Sequence, residues 1–238
     1  MIIIDKKKIL MLLIGVFCFS TLLFTNMNKV ENTVLTSTLP VSNRIIVLDA
    51  GHGKPDEGAE GNNGTTEEKA NLSITLKLQK LLEESGATVI LTRSDENGIY
   101  DQNSTTIREM KVSDIKNRVE IGNNSSADIL VSIHLNKGDN SSYTGFQTFY
   151  KKDDERGKRL AVDIQGSLKD TIKTENKREA HEISGIYLVD NVEIPTTIVE
   201  CGFLSNPQEE EKLLTDDYQN QLVWGIYIGI MNYFNEVQ

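Results

Sequence analysis

Cysteine is scarce. The 238 residues hold two, Cys18 and Cys201. Cys18 lies in an apolar N-terminal stretch, so the pair cannot form a disulfide framework for a folded domain. On a strand, neighbouring side chains point to opposite faces. Cys201 is therefore expected to face away from its neighbour Glu200 and to be buried rather than nucleophilic. Positive charge is also short: 25 Lys and Arg stand against 35 Asp and Glu, a net charge of −10. That argues against nucleic acid, which attracts basic surfaces. No internal repeat and no second, polymer-binding domain is visible. Ser132 has no glycine elbow around it, and Gly51-His52-Gly53 lacks the third glycine of a dinucleotide loop.

Hydrophobic content of 38% and charge of 25% suit one sizeable domain plus a tail. Lys6-Lys7-Lys8 precedes an apolar run from Ile9 to Phe24. This marks residues 1–26 as an export signal or membrane anchor, which places the protein outside the cytoplasm, secreted or membrane-anchored. No clean small-x-small cleavage site follows, which leaves retention as a membrane anchor open. Cys18 follows Phe17, not a small residue, which argues against a lipid-attachment site. Residues 27–43, rich in Asn, Thr and Ser, read as a linker.

From Arg44 onward, strand and helix patterns alternate. Strands are expected at 44–49, 87–92, 128–134, 145–150, 185–189 and 196–201. Helices are expected at 66–84, 108–124, 154–173, 207–214 and 216–234, with a long loop at 94–107. The expectation is a single α/β domain over 44–238. Its twisted, mostly parallel sheet carries helices on both faces, with the functional site at the carboxyl ends of the strands.

Three strands end in chemistry. Ile45-Ile46-Val47-Leu48 runs through Asp49 into Gly51-His52-Gly53. Ile129 to Ile133 runs into His134, and Thr197-Ile198-Val199 runs into Glu200. The chain has only three histidines, and two sit this way. Imidazole is the commonest protein ligand for zinc. A catalytic zinc site usually has a third protein ligand and an open position. Thr65-Thr66-Glu67-Glu68, opening a helix, offers two carboxylates. Thr65 and Glu68 have capping-box spacing, which would occupy Glu68 and leave Glu67 free. Both glutamates could instead serve only the helix dipole, and the stretch alone leaves the ligand and dipole readings even. Glu200 is the candidate general base; a fourth metal ligand or a partner of Arg93 or Arg118 are its other readings. His181, in a polar stretch, reads as a surface residue ahead of a substrate-rim one.

These residues resemble the zinc-dependent N-acetylmuramoyl-L-alanine amidases of the type 3 family, over about residues 44–235. The likeness runs through Leu48-Asp49-Ala50-Gly51-His52-Gly53, Glu67-Glu68-Lys69-Ala70-Asn71-Leu72 and Thr92-Arg93-Ser94-Asp95. It continues through Arg118 to Asn123, Ala127 to Asn136, and Val199 to Asn206. It implies that His52, Glu67 and His134 bind one Zn2+ and that Glu200 is catalytic. It also implies a twisted sheet between helices, peptidoglycan as substrate and, in some members, an activating protein partner. Arg108-Glu109-Met110-Lys111 and Asp114 to Arg118 are similar to the spore-cortex, germination-specific subgroup. That implies work between the forespore membranes, in the cortex, ahead of muramic-δ-lactam formation. Lys54 stands where the family commonly has a second glycine, a change expected to alter the loop more than the metal. The other readings are a zinc peptidase of related fold, cleaving the peptide stem, and a non-catalytic wall-binding protein.

Overall fold

In the computed structural model, residues 16–17 and 38–235 are described. The expected export signal falls outside them except for Val16 and Phe17, as does the expected linker up to residue 37. Among the described residues no helix is long and apolar enough to cross a membrane.

The chain from Leu39 onward forms one compact unit. Its elements are β1 (Ile45–Ala50), α1 (Glu67–Glu84), β2 (Thr88–Leu91), α2 (Ile107–Asn124), β3 (Ile129–Asn136) and β4 (Gln147–Lys151). They continue with α3 (Glu155–Ile172), β5 (His181–Ile183), α4 (Tyr187–Asn191), β6 (Thr196–Phe203), α5 (Pro207–Leu213) and α6 (Asp216–Asn235). The six strands form one sheet in the order β2-β1-β3-β6-β4-β5. β2, β1, β3 and β6 are parallel, β4 runs against β6, and β5 follows β4. The central strands are buried on both faces, which is why their sequences are apolar runs rather than alternations.

The alternation of side chains sorts residues between two cores. Ile46, Leu48, Val131, Ile133, Val199 and Cys201 face the larger core, with Ile74, Leu78, Ile164 and Ile226 from the helices. Val47 and Leu130 face the smaller one, with Val119, Leu188 and Val192. Each fully buried Leu or Ile contributes about 1.5–3 kcal/mol relative to exposure. α3 and α6 meet closely because Gly229 has no side chain: a Cβ there would lie 2.4 Å from the Ile164 Cα.

Three expectations need correction. Residues 185–189 are not a strand. The edge strand is instead the short, polar β5, and Gly185 (φ 83) turns the chain into α4. The packed unit also begins before Arg44: Val41 is fully buried in the larger core, and the Ser42 hydroxyl donates to the Ser85 carbonyl. The third concerns the start of α1. Its N-cap is Thr66, not Thr65, and no side-chain capping bond forms. The carbonyls of Ala59 and Glu57 take the first amides of the helix instead. A reciprocal capping box does occur one helix later, between Thr106 and Glu109.

Candidate metal centre

β1, β3 and β6 are parallel neighbours: Ala50, the last residue of β1, is level with Ile133, and His134 pairs in register with Glu200. β1 stops at Gly51, whose bare Cα faces the His134 ring; a Cβ there would lie 2.3 Å from the ring. The next residue, His52, has a left-handed backbone (φ 61). A non-glycine residue there is uncommon and costs about 1–3 kcal/mol, tolerated where surroundings over-determine it.

Two buried arginines supply that constraint. Arg118 Nη2 donates to the His52 carbonyl at 2.5 Å, and its Nη1 to the Ala50 carbonyl at 2.7 Å. Arg93 donates through Nε to the Ala50 carbonyl and through Nη2 to the Gly51 carbonyl. Arg118 also meets Asp49 at 2.5 Å and Asp114 at 2.6 Å. Asp49 accepts from Thr92 and Ser132 as well. Burial alone would raise the pKa of Asp49; Arg118 and the Ser132 hydroxyl outweigh it and hold it at about 2. The arginines therefore serve the loop after β1, and no hydrogen bond joins either to Glu200.

Glu67, the first residue of α1, is buried and reaches between the histidines. Its Oε1 lies 3.0 Å from His134 Nδ1 and accepts from the Leu135 amide at 3.1 Å. Its Oε2 lies 3.2 Å from His52 Nε2 and accepts from the Ala59 amide at 2.9 Å. One ligand atom from each of His52, Glu67 and His134 lies within 4.8 Å of the others, a group able to hold a metal ion. Glu68 does not join them. Both of its carboxylate oxygens are buried without a hydrogen-bond partner, so it is not occupied with capping either.

The electrostatics suit a cation. Burial raises Glu67, but the two histidines outweigh it and hold its carboxyl well below the usual range. Burial lowers His52, but hydrogen bonds to Asp56 and Glu67 outweigh it and raise it to about 9. Two anionic groups thus hold a proton on the His52 ring where a metal would compete with it. His52 Nδ1 lies 3.0 Å from Asp56 Oδ2. Such a carboxylate orients a ligating histidine and leaves Nε2 for the metal.

Glu200 lines the groove beside His52 and His134, and one of its carboxylate oxygens is buried without a partner. Burial pushes its pKa up to about 7; the charge of His134 opposes this and that of Glu67 adds to it. Cys201 lies on the opposite face, fully buried, with its thiol pushed up chiefly by burial. His181 is exposed on edge strand β5, near the Phe149 ring and away from the groove. Asp56 and Lys111 were not visible as site residues in the sequence. Asp56 follows His52 by four residues in a turn, which is the one signal available.

A family model for N-acetylmuramoyl-L-alanine amidase matches residues 46–232. The germination-specific N-acetylmuramoyl-L-alanine amidase of Bacillus subtilis (strain 168) is 37% identical over 199 residues, 84% of this chain and 83% of the relative. Among solved structures, the CwlD amidase from Clostridioides difficile, in complex with the GerS lipoprotein, is 45% identical. It superposes with a TM-score of 0.79 over 82% of this chain and 100% of that one. The N-acetylmuramoyl-L-alanine amidase from Clostridium difficile 630 is 30% identical, with a TM-score of 0.73 over 83% of this chain and 100% of that one. The chain belongs to the N-acetylmuramoyl-L-alanine amidase family.

Proposed function

We propose that this amidase works with one Zn2+ held by His52, Glu67 and His134, and that Glu200 moves the protons. The amide hydrolysed joins the lactyl group of muramic acid to the L-alanine of the peptidoglycan stem. The donor set of two imidazoles and a carboxylate is typical of catalytic zinc, with room for a further ligand. The ion would supply Lewis-acid charge for the amide carbonyl and acidify water in the site.

The protein's own groups do the rest. Glu200 accepts a proton from the attacking water and returns it to the departing amine nitrogen. A carboxylate near neutrality suits both transfers, since it must first accept a proton and then give it up. Asp56 holds His52 in one orientation, and Arg93 and Arg118 hold the strained loop that carries it. The observation that carries this reading is the unpartnered, buried carboxylate oxygen of Glu200, in register with His134 beside the His–Glu–His group.

The biological setting is part of the proposal. The B. subtilis relative is named as germination-specific, which supports a role in spore-cortex maturation. The C. difficile relative was solved with a lipoprotein bound, which supports a protein partner. Residues 1–26 would export the chain and hold it at a membrane. The test is hydrolysis of defined muropeptides by chelated protein with zinc restored. Release of stem peptides with a new L-alanine amino terminus, dependent on zinc, is the expected result. Cleavage between amino acids would make the chain a peptidase and overturn the reading.

A further inference from the structure

We propose that Lys111 is a specificity-determining residue that pairs with a carboxylate of the stem peptide. The proposal rests on the amidase reading and concerns the groove that opens from His52, His134 and Glu200. That groove, of about 260 Å³, runs between α2 and the turn entering α4. Much of its wall is apolar: Ile115, Ile186, Leu188 and Ile198. Its charged lining is mostly acidic, with Asp49, Asp56, Asp114 and Glu200.

Apart from the histidines of the metal centre, two cationic side chains offset those acids, and only one can reach a ligand. The Arg118 side chain is 2% exposed. Its Nε serves Asp114, its Nη1 serves Asp49 and the Ala50 carbonyl, and its Nη2 serves the His52 carbonyl. The Lys111 side chain is 51% exposed and meets one protein group, Asp56 Oδ1, at 2.8 Å. An ammonium has three donors, so two remain for a ligand. Asp56 anchors Lys111 through one oxygen and His52 through the other, which fixes the ammonium beside the reaction centre.

The substrate makes the cation necessary. A stem peptide with free carboxyls is an anion approaching a chain of net charge −10 through an acidic groove. Away from the metal centre, a carboxylate entering here without a cation to meet it would be repelled and left desolvated against apolar walls. Lys111 offers that charge within the groove. The interaction is made in the ground state and kept through the reaction, so its loss falls on KM rather than kcat.

The test uses the zinc-loaded enzyme and one muropeptide in two forms. One form has its stem carboxyls free; the other has them converted to carboxamides. The readout is the ratio of kcat/KM between the two. Lys111→Met should lower the preference for the free form by about 3–10-fold, the size of a charge-assisted contact screened at a half-exposed site. The change should appear in KM, and Lys111→Arg should keep the preference. Zinc affinity of Lys111→Met should stay within about threefold of the parent, because Asp56 still holds His52. A preference ratio equal to the parent's would overturn the proposal. So would an equal loss on both substrates with weakened zinc, which would make Lys111 a support for Asp56. Failure of the amidase reading is separable: the parent itself would then cleave neither form at the muramic acid amide.

Discussion

Arg118→Met is the most searching perturbation of the scaffold beneath the centre. The guanidinium and its partner Asp49 are 2% and 1% exposed. Removing one member of a buried pair leaves the other charge uncompensated, a loss of about 3–5 kcal/mol. The Ala50 carbonyl keeps its bond from Arg93 Nε. The His52 carbonyl loses its donor, on a residue already strained at φ 61. Domains of this kind are stable by about 5–15 kcal/mol, so the variant should fold but lose much of its margin. Urea unfolding at pH 7 is the assay. Asp49→Asn combined with Arg118→Met should recover at least about 1 kcal/mol over Arg118→Met alone. The neutral amide can still accept from Thr92 and can donate to Ser132. The pH dependence has a definite sign. Asp49 is held at about 2, below its ordinary 3.8. Its contribution of about 2 kcal/mol is therefore fully present above 3.8 and lost as pH falls through 2. The gap between parent and Arg118→Met should narrow over that range. A single variant within about 1 kcal/mol of the parent at pH 7 would refute the reasoning, as would a double variant no more stable than the single.

Two further predictions concern the metal. Glu67→Gln should lose tight zinc binding, whereas Glu68→Gln should keep it, since Glu68 stands outside the His–Glu–His group; metal analysis of the purified variants decides this. Asp56→Asn should weaken zinc about 10–100-fold, because His52 Nδ1 loses its carboxylate partner. A chelator-competition titration measures the shift, and an unchanged affinity would remove Asp56 from the centre's support.

The apolar cores of the central strands were plain in the sequence because burial on both faces forces uninterrupted apolar runs. β1, β3 and β6 each contain such a run, and a polar group follows each run, which sets His134 level with Glu200 and His52 just beyond Ala50; β3 and β6 then continue to Asn136 and Phe203. β5 was misplaced for a related reason. Ile186, Leu188 and Val189 look strand-like, but Gly185 reverses the chain there. Asp190 then accepts from the Gly185 amide at 2.8 Å and closes a helical turn. The true edge strand, His181–Ile183, pairs only with β4, and so it needs no apolar run. The resemblance implies Glu67 rather than Glu68, and the capping argument that pointed the same way is not supported by the structure. Loop carbonyls from Glu57 and Ala59 cap the helix, and such backbone pairing leaves no mark in side-chain types. The roles of Asp49, Asp56, Arg93, Arg118 and Lys111 are long-range or loop-made. They depend on which buried carbonyls need donors, which spacing alone does not encode.

The central claim is that Glu200 transfers protons and is not a metal ligand. Glutamine keeps its size and packing but cannot accept the proton. Zinc titration and muropeptide turnover of Glu200→Gln, made on the same preparation, test it most directly. The variant should bind zinc as the parent does and stay folded, while kcat falls by at least about 10²–10⁴-fold, the usual contribution of general acid–base catalysis. Turnover near the parent rate would contradict the proton role, and loss of the metal would make Glu200 a ligand.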